Sequence, residues 1–466
     1  MNEIKKLTKS TIIYFLGTVG TKLVSFLLLP LYTSYLSPTD YGTYDLNITY
    51  ATLFSSFFFL DIWTGIMKFV FEKRGDKEKR AVVYSGIVIF ITSAIVYGCA
   101  LYGFGIAKKI NYLPGVMLYG FCLCLQNLYG YLARSFGYNF RFVVSGLIAT
   151  ISTAGLNILL LVVFGMDYKA LYISYAIGIF AQCFILEIKL NVIWGFRVTY
   201  LDRKKLWELL KFSLPLCINS LCYWLLTGYN RVVINERLDA TANGYYAVAS
   251  KFGGILIIVS SCFTMAWQEL AYGRYDRDQQ TGVFYTKATD LYIKALICGF
   301  LVLLPIINVL YPYMISLEYK AAKNLIPFNM LATLASLLYT FLGNIISTYK
   351  KNHVIFVSTL VAGVANIGLL YTLIGNIGVE AANISLLVGY LLSNIIRIWM
   401  IGQIIDYRVK WKIILIMAFP IIITIHVFTN YGLLANCFVF LGAVAITIMI
   451  FNDVLKKILS LLIKRL

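Results

Sequence analysis

The chain has 466 residues, 60% of them hydrophobic and only 13% charged, with a mean hydropathy of +0.80. A soluble protein carries about a quarter charged residues, so a water-exposed globule is excluded and the bilayer is the expected solvent. Forty Lys and Arg against twenty-one Asp and Glu leave a net charge of +19; without a nucleic-acid-binding signature, that excess reads as basic loops flanking membrane spans, with no nucleic acid as partner.

The N-terminus, "MNEIKKLTKSTIIYFLG", is basic and then apolar, but the apolar run is too long for a signal peptide and no small-x-small cleavage site closes it. It is expected to stay as a first span. Apolar segments long enough to cross a bilayer as helices, about 20 residues each, recur to the end of the chain. Fourteen are expected, at 11–36, 41–70, 81–106, 112–134, 142–165, 169–192, 206–236, 244–272, 287–312, 322–349, 354–375, 379–404, 411–429 and 432–452. The ten-residue alternation of a membrane barrel is absent from the pattern. The C-terminal "VLKKILSLLIKRL" reads as an interfacial helix or a basic tail. Nine cysteines fall almost entirely inside apolar runs, no C-x-x-C pair occurs and only two histidines exist. Buried, inert thiols are therefore expected, and no metal or redox cofactor. With the N-terminus inside, 27 basic residues fall on the cytoplasmic side and 6 on the other, which predicts a cytoplasmic-membrane protein with both termini in the cytoplasm.

An internal repeat organises the spans. "YLSPTDYGTYDL" (Tyr35 to Leu46) aligns without gaps on "RLDATANGYYAV" (Arg237 to Val248), matching Leu36/Leu238, Thr39/Thr241, Gly42/Gly244 and Tyr44/Tyr246. "KALYISYAIG" (Lys169 to Gly178) aligns on "EAANISLLVG" (Glu380 to Gly389) at nearly the same offset. Two matches in the same order predict a duplication of six spans. An even number of spans keeps both copies in one orientation, so a pseudo-two-fold axis along the membrane normal is expected. The predicted fold is an all-α polytopic membrane protein of 14 transmembrane helices. It comprises an N-lobe (1–205), a C-lobe (206–405), and a C-terminal pair of spans with the interfacial helix (406–466).

Charges in a hydrocarbon interior cost roughly 2.5 to above 10 kcal/mol and normally face a cavity or a partner. In the first span Tyr14, Thr18, Lys22 and Ser25 share one helical face. The second carries Asp45, Thr49, Thr52 and Ser56, with Asp61 deeper; the seventh carries Asn219, Tyr223, Thr227 and Asn230 or Arg231. The eighth carries Tyr246, Ser250 and Lys251, then Gln268 and Glu269. These residues predict a polar, net-cationic cavity lined by the first two spans of each repeat. Lys68 and Lys211 lie where they would snorkel to headgroups. Lys22, about a dozen residues from either end of its span, has two readings: a cavity cation, or a structural ion pair with Asp61 or Asp45.

The stretch "SFLLLPLYTSYLSPTDYGTYDL", with its pattern P-L-Y-x-x-x-L-x-x-x-x-Y-G-x-Y from Pro30 to Tyr44, resembles the polysaccharide transporter (Wzx-type) branch of the multidrug/oligosaccharidyl-lipid/polysaccharide (MOP) flippase superfamily. "GIMKFVFE" (Gly65 to Glu72) is similar to that family's G-x-x-R/K-F stretch. The resemblance implies a flippase, not an enzyme, that moves undecaprenyl-pyrophosphate-linked oligosaccharides across the membrane by rocking two lobes. It also implies membrane lipid and the polymerase or chain-length proteins of that pathway as partners, and a monomer. On this reading Lys22, Arg231 and Lys251 hold the pyrophosphate, since a dianion entering a low-dielectric cavity needs cations. Tyr14, Thr18, Ser25, Tyr223 and Asn230 would serve the sugar hydroxyls. Asp45, Asp61 or Glu269 would take the H+ or Na+ that drives the cycle. The alternatives are a lipid-II-type flippase, a MATE-like exporter of cationic drugs, and, from another class, a membrane glycosyltransferase or polymerase.

Overall fold

The structure, a computed structural model, describes residues 17, 19–73, 75–273, 281–349 and 351–463, and among them every regular element is helical. In chain order these are α1 (19–27), α2 (Leu29–Tyr35), α3 (Pro38–Phe58), α4 (Ile62–Glu72), α5 (Asp76–Ala107), α6 (Leu113–Ser135), α7 (Asn139–Ile158) and α8 (Lys169–Leu190). There follow α9 (Arg203–Thr227), α10 (Tyr229–Arg237), α11 (Ala240–Gly273), α12 (Thr281–Met314), α13 (Ala322–Thr348), α14 (Asn352–Ile377), α15 (Glu380–Ile404), α16 (Trp411–Asn430) and α17 (Leu433–Ile463). Eleven helices are long and apolar enough to cross a membrane, and the α3–α4 pair makes a twelfth when taken as one bent span. α16 adds the shorter apolar helix Ile414–Asn430, and α1–α2 form the described part of the first span. Each of the fourteen expected spans thus has a helix.

Three of those spans are not single helices. The first is interrupted at Leu28, before Pro30 in the opening turn of α2; Pro30 has no N–H to return to the preceding turn. The seventh is interrupted at Gly228, between α9 and α10. At the offset that pairs Thr39 with Thr241, Gly228 corresponds to Phe26, so the two interruptions fall close to each other in the repeat but not at the same position. The second span breaks at Leu60 and Asp61, which both take left-handed backbone conformations, at φ 56° and 51°, and α4 leaves α3 at 43°. Two successive non-glycine residues there cost about 1–3 kcal/mol each. At membrane depth such a break persists only where protein or water serves the freed backbone groups. α3 itself has a strong start. Ser37 Oγ accepts the Asp40 amide at 3.1 Å and donates to the Asp40 carboxylate at 2.8 Å, with Pro38 in the first turn.

The chain divides into two compact units, residues 1–244 and 245–466. In unit 1, α8 packs on α6 and α7, and α3 and α4 pack on α6. Small residues allow these approaches, as in membrane helix pairs generally. A Cβ on Gly178 would lie 2.2 Å from Thr153 Oγ1 of α7, and one on Gly120 would lie 2.8 Å from Ser55 Oγ of α3. In unit 2, α15 packs on α13 and α14, and α12 packs on α16 and α17. The α8 and α15 arrangements are the same helix pairings at corresponding places, as duplication requires. Polar pins fix the second unit: Asn308 Nδ2 donates to Phe428 O at 2.9 Å, and the Tyr407 hydroxyl donates to Thr289 Oγ1 at 2.8 Å. The helix of the last span runs unbroken to Ile463, so the backbone of the C-terminal basic stretch continues α17.

Candidate functional site

Gly17 and Gly20 lie against α7: a Cβ on Gly17, just before α1, would lie 2.6 Å from Val143, and one on Gly20 of α1 would lie 3.3 Å from Leu147. Lys22 and Ser25 fall on other faces of α1 and are exposed. Ser25 Oγ donates to Thr21 O at 3.0 Å, so that hydroxyl is satisfied within its own helix. The Lys22 ammonium has no carboxylate in ion-pair reach among the described residues. The ion pair with Asp45 or Asp61, one of the two readings of Lys22, is not formed here.

Asp45 pairs instead with Arg231. Nε of Arg231 donates to Oδ2 of Asp45, and Nη1 donates to Thr227 O at 3.2 Å. Asp45 is buried, and about a fifth of the Arg231 side chain is exposed. That pair belongs to a longer line of contact, within unit 1, along which α9–α10 runs antiparallel to α3–α4. From one end to the other, Gly65 meets Ser213 Oγ, Cys217 Sγ donates to Phe57 O at 3.3 Å, Trp224 Nε1 donates to Thr49 O at 3.1 Å, and Arg231 meets Asp45. At the far end, Thr39 and Thr241 bring their hydroxyl oxygens to 2.8 Å, and Asn243 Nδ2 donates to Gly42 O at 2.7 Å. A Cβ on Gly42 would lie 1.8 Å from Ala240 O. Thr39 with Thr241, and Gly42 with Gly244, are the residues that the repeat equates; matched positions therefore touch one another, as at an isologous interface. Beside this end the C-cap of α5 is tied to α10. Lys108 bonds Glu236 at 2.9 Å, a contact that holds the Lys108 ammonium above the usual lysine range.

At the break between α3 and α4, Asp61 Oδ1 accepts the Thr64 hydroxyl at 3.0 Å. A carboxylate at an unwound turn in mid-span offers an oxygen ligand beside backbone carbonyls released from the helix, the construction used for ions in broken membrane helices.

Of the remaining candidates, Tyr223 is exposed on α9 and Asn230 is fully buried on α10. Lys251 is exposed on α11, in unit 2. Tyr14, Thr18 and the side chain of Glu269 lie outside the described residues. Tyrosines of α2 and α3 stack on one another. Tyr32, Tyr41 and Tyr44 form a row with centroids 6.1 and 6.3 Å apart, and Tyr44 meets Tyr172 edge-on at 5.0 Å; Tyr41 and Tyr172 are buried.

Two buried charges escaped the sequence reading as structural centres. Glu187 on α8 accepts the amides of Val192, Ile193 and Trp194 and the Tyr129 hydroxyl at 2.7–3.1 Å. Arg397 on α15 is 1% exposed and donates to Ser358 Oγ, Tyr339 O and Thr359 Oγ1, with its guanidinium 3.5 Å from the Tyr339 ring centre. By the alignment of Lys169 with Glu380, Arg397 lies one residue before the counterpart of Glu187, so the two repeats bury opposite charges at neighbouring positions of the corresponding helix. An ionisable residue within an apolar span was the available signal for both, with Lys189 two residues beyond Glu187.

The sequence matches the family described as "Polysaccharide biosynthesis protein" over residues 7–268, more than half of the chain. The chain belongs to that family. Among curated proteins none matches the sequence. Among solved structures it is similar to the lipid II flippase MurJ in an inward closed conformation: 15% identity, TM-score 0.72, 95% of this chain and 100% of that one. It is also similar to a MATE-family multidrug resistance transporter of the MOP superfamily in an inward-facing conformation, with 13% identity, TM-score 0.65, and 82% and 94% of the two chains. A mutant of the Vibrio cholerae MATE transporter VcmN aligns with 14% identity, TM-score 0.56, and 86% and 98% coverage. At such identities the likeness establishes the fold, that of the MOP superfamily. The polysaccharide biosynthesis protein is thus a multi-pass membrane protein, and the family and fold expected from Pro30 to Tyr44 are the ones found.

Proposed function

We propose that this member of the polysaccharide biosynthesis family is a flippase. It moves undecaprenyl-pyrophosphate-linked oligosaccharide repeat units from the cytoplasmic to the outer leaflet of a bacterial cytoplasmic membrane, by alternating access. The observation that carries the reading is Lys22: an exposed ammonium in mid-span, without a carboxylate partner among the described residues. A cation in that position costs several kcal/mol unless water or an anionic ligand meets it, and a pyrophosphate is such a ligand. Arg231 is already neutralised by Asp45, so the anion-binding role passes to Lys22, with Arg231 as a positioning residue; Lys251, exposed on α11, is the candidate cation of unit 2. Asp61, at an unwound turn that Asp45 lacks, is the candidate for H+ or Na+ coupling.

A flippase for lipid II shares the pyrophosphate and the prenyl chain and is the second reading, favoured by the MurJ likeness; the family match favours the polysaccharide substrate. A MATE-like exporter of cationic drugs calls for an exposed acid where this chain exposes Lys22. The test is transport in proteoliposomes with a sugar-labelled lipid-linked repeat unit, read as label accessible on the far side. Export of a cationic dye without movement of that lipid would reverse the assignment.

A further inference from the structure

Unit 1 carries an apolar furrow between α5 and α6 that is lined by none of the residues proposed above for the pyrophosphate, the sugars or the coupling ion. One cavity of about 570 Å³ is lined by Ile87, Phe90 and Ile95 of α5, Phe121 and Leu128 of α6, and Phe196. A second, of about 540 Å³, continues it along Gly98 and Tyr102 of α5 and Met117 of α6. Ala94 and Phe121 line both cavities, so the two form one trough with a waist. Ile91, Ile95 and Tyr102 expose large apolar surface along its edge. From Ile87 to Tyr102 it runs about 22 Å at 1.5 Å per residue, whereas one leaflet of hydrocarbon is about 15 Å deep.

One end of the trough is a built wall. The buried Glu187 carboxylate holds the amides of Val192 to Trp194, and Tyr129, itself a lining residue, donates to the same carboxylate. The mouth beside that wall is basic. Phe196 packs edge-on against Tyr84 at 5.2 Å, Arg80 Nη1 donates to the Tyr84 hydroxyl at 3.0 Å, and Lys189 and Arg197 are exposed close by in the chain. No carboxylate pairs with Arg80, Lys189 or Arg197 among the described residues.

We infer that the α5–α6 trough binds the hydrocarbon chain of a polyprenyl phosphate, with the phosphate at the Arg80–Arg197 mouth. An acyl chain of one leaflet would fill only part of the trough. A single chain longer than a leaflet fills it from the basic mouth to Tyr102. This inference deepens the proposed function and rests on its prenyl-linked substrate.

The test uses the full chain in phospholipid nanodiscs, photolabelled with diazirine-bearing undecaprenyl phosphate and mapped by peptide mass spectrometry. Label is expected on α5, α6 and the segment 192–196. An excess of unlabelled undecaprenyl phosphate should remove it, and the same excess of farnesyl phosphate or phosphatidylglycerol should not. Ala94→Trp, which fills the waist, should reduce that labelling about tenfold, while Ile151→Trp on the lipid-exposed side of α7 should leave it intact. Labelling spread over all lipid-facing helices, or removed equally by phosphatidylglycerol, would make the trough ordinary lipid contact and overturn the inference. Saturable labelling on α1 and α3 in place of α5–α6 would overturn the trough while preserving the substrate class. No saturable labelling anywhere would overturn both.

Discussion

At the scale of residues, the structure separates charges that the sequence could only group. Asp45 and Arg231 neutralise each other; Lys22 does not join them. Removing one member of a largely buried pair strands the other, so Asp45→Leu and Arg231→Leu should each destabilise the protein by about 3–5 kcal/mol, while the double variant should recover most of that loss. Thermal unfolding of the four proteins in detergent reads the difference; equal, additive losses would remove the pair from the account. Asp61 makes a different case. Asn tolerates the left-handed backbone nearly as well as Asp, so Asp61→Asn should preserve the fold and yield of the protein. If Asp61 couples the cycle, transport by that variant should lose its dependence on a proton or sodium gradient. Retained gradient dependence would move coupling elsewhere.

At the scale of elements, the α3–α4 and α9–α10 pairs are the informative parts, and their legibility was uneven. Hydropathy alone placed fourteen spans, because burial in lipid leaves long runs that need no tertiary context to recognise. The repeat at Thr39/Thr241 and Gly42/Gly244 was visible in the letters, since each pair meets its own counterpart and close approach restricts residue choice on both sides. The Leu60–Asp61 break was not visible, because neither residue is a glycine or proline and no turn signal marks the position. The polar stripe from Asp45 to Ser56 was legible as a face. Its use was not, because Thr49 and Thr52 return their hydroxyls to carbonyls one turn back. The contact end gives a direct prediction. With hydroxyl oxygens 2.8 Å apart, Thr39→Cys/Thr241→Cys should oxidise to a disulfide, within the short reach such a bond allows. Oxidation should arrest transport and reduction restore it, with each single variant unaffected. Transport that continues in the cross-linked protein would show that this contact does not open during the cycle.

At the scale of the whole molecule, a +19 chain that exposes Lys22 in mid-span and neutralises Arg231 is suited to an anionic, lipid-borne cargo. The trough between α5 and α6 adds a place for that cargo's chain. What composition could not supply was which cations are spent, since that depends on partners up to 186 residues apart in sequence. The central claim is tested most directly by lipid-linked repeat-unit flipping in proteoliposomes, comparing wild type, Lys22→Arg and Lys22→Ala at matched protein levels. The account predicts that Lys22→Arg retains part of the activity and that Lys22→Ala loses about tenfold or more, the equivalent of one charge-assisted contact. Flipping by Lys22→Ala at the wild-type rate would contradict it.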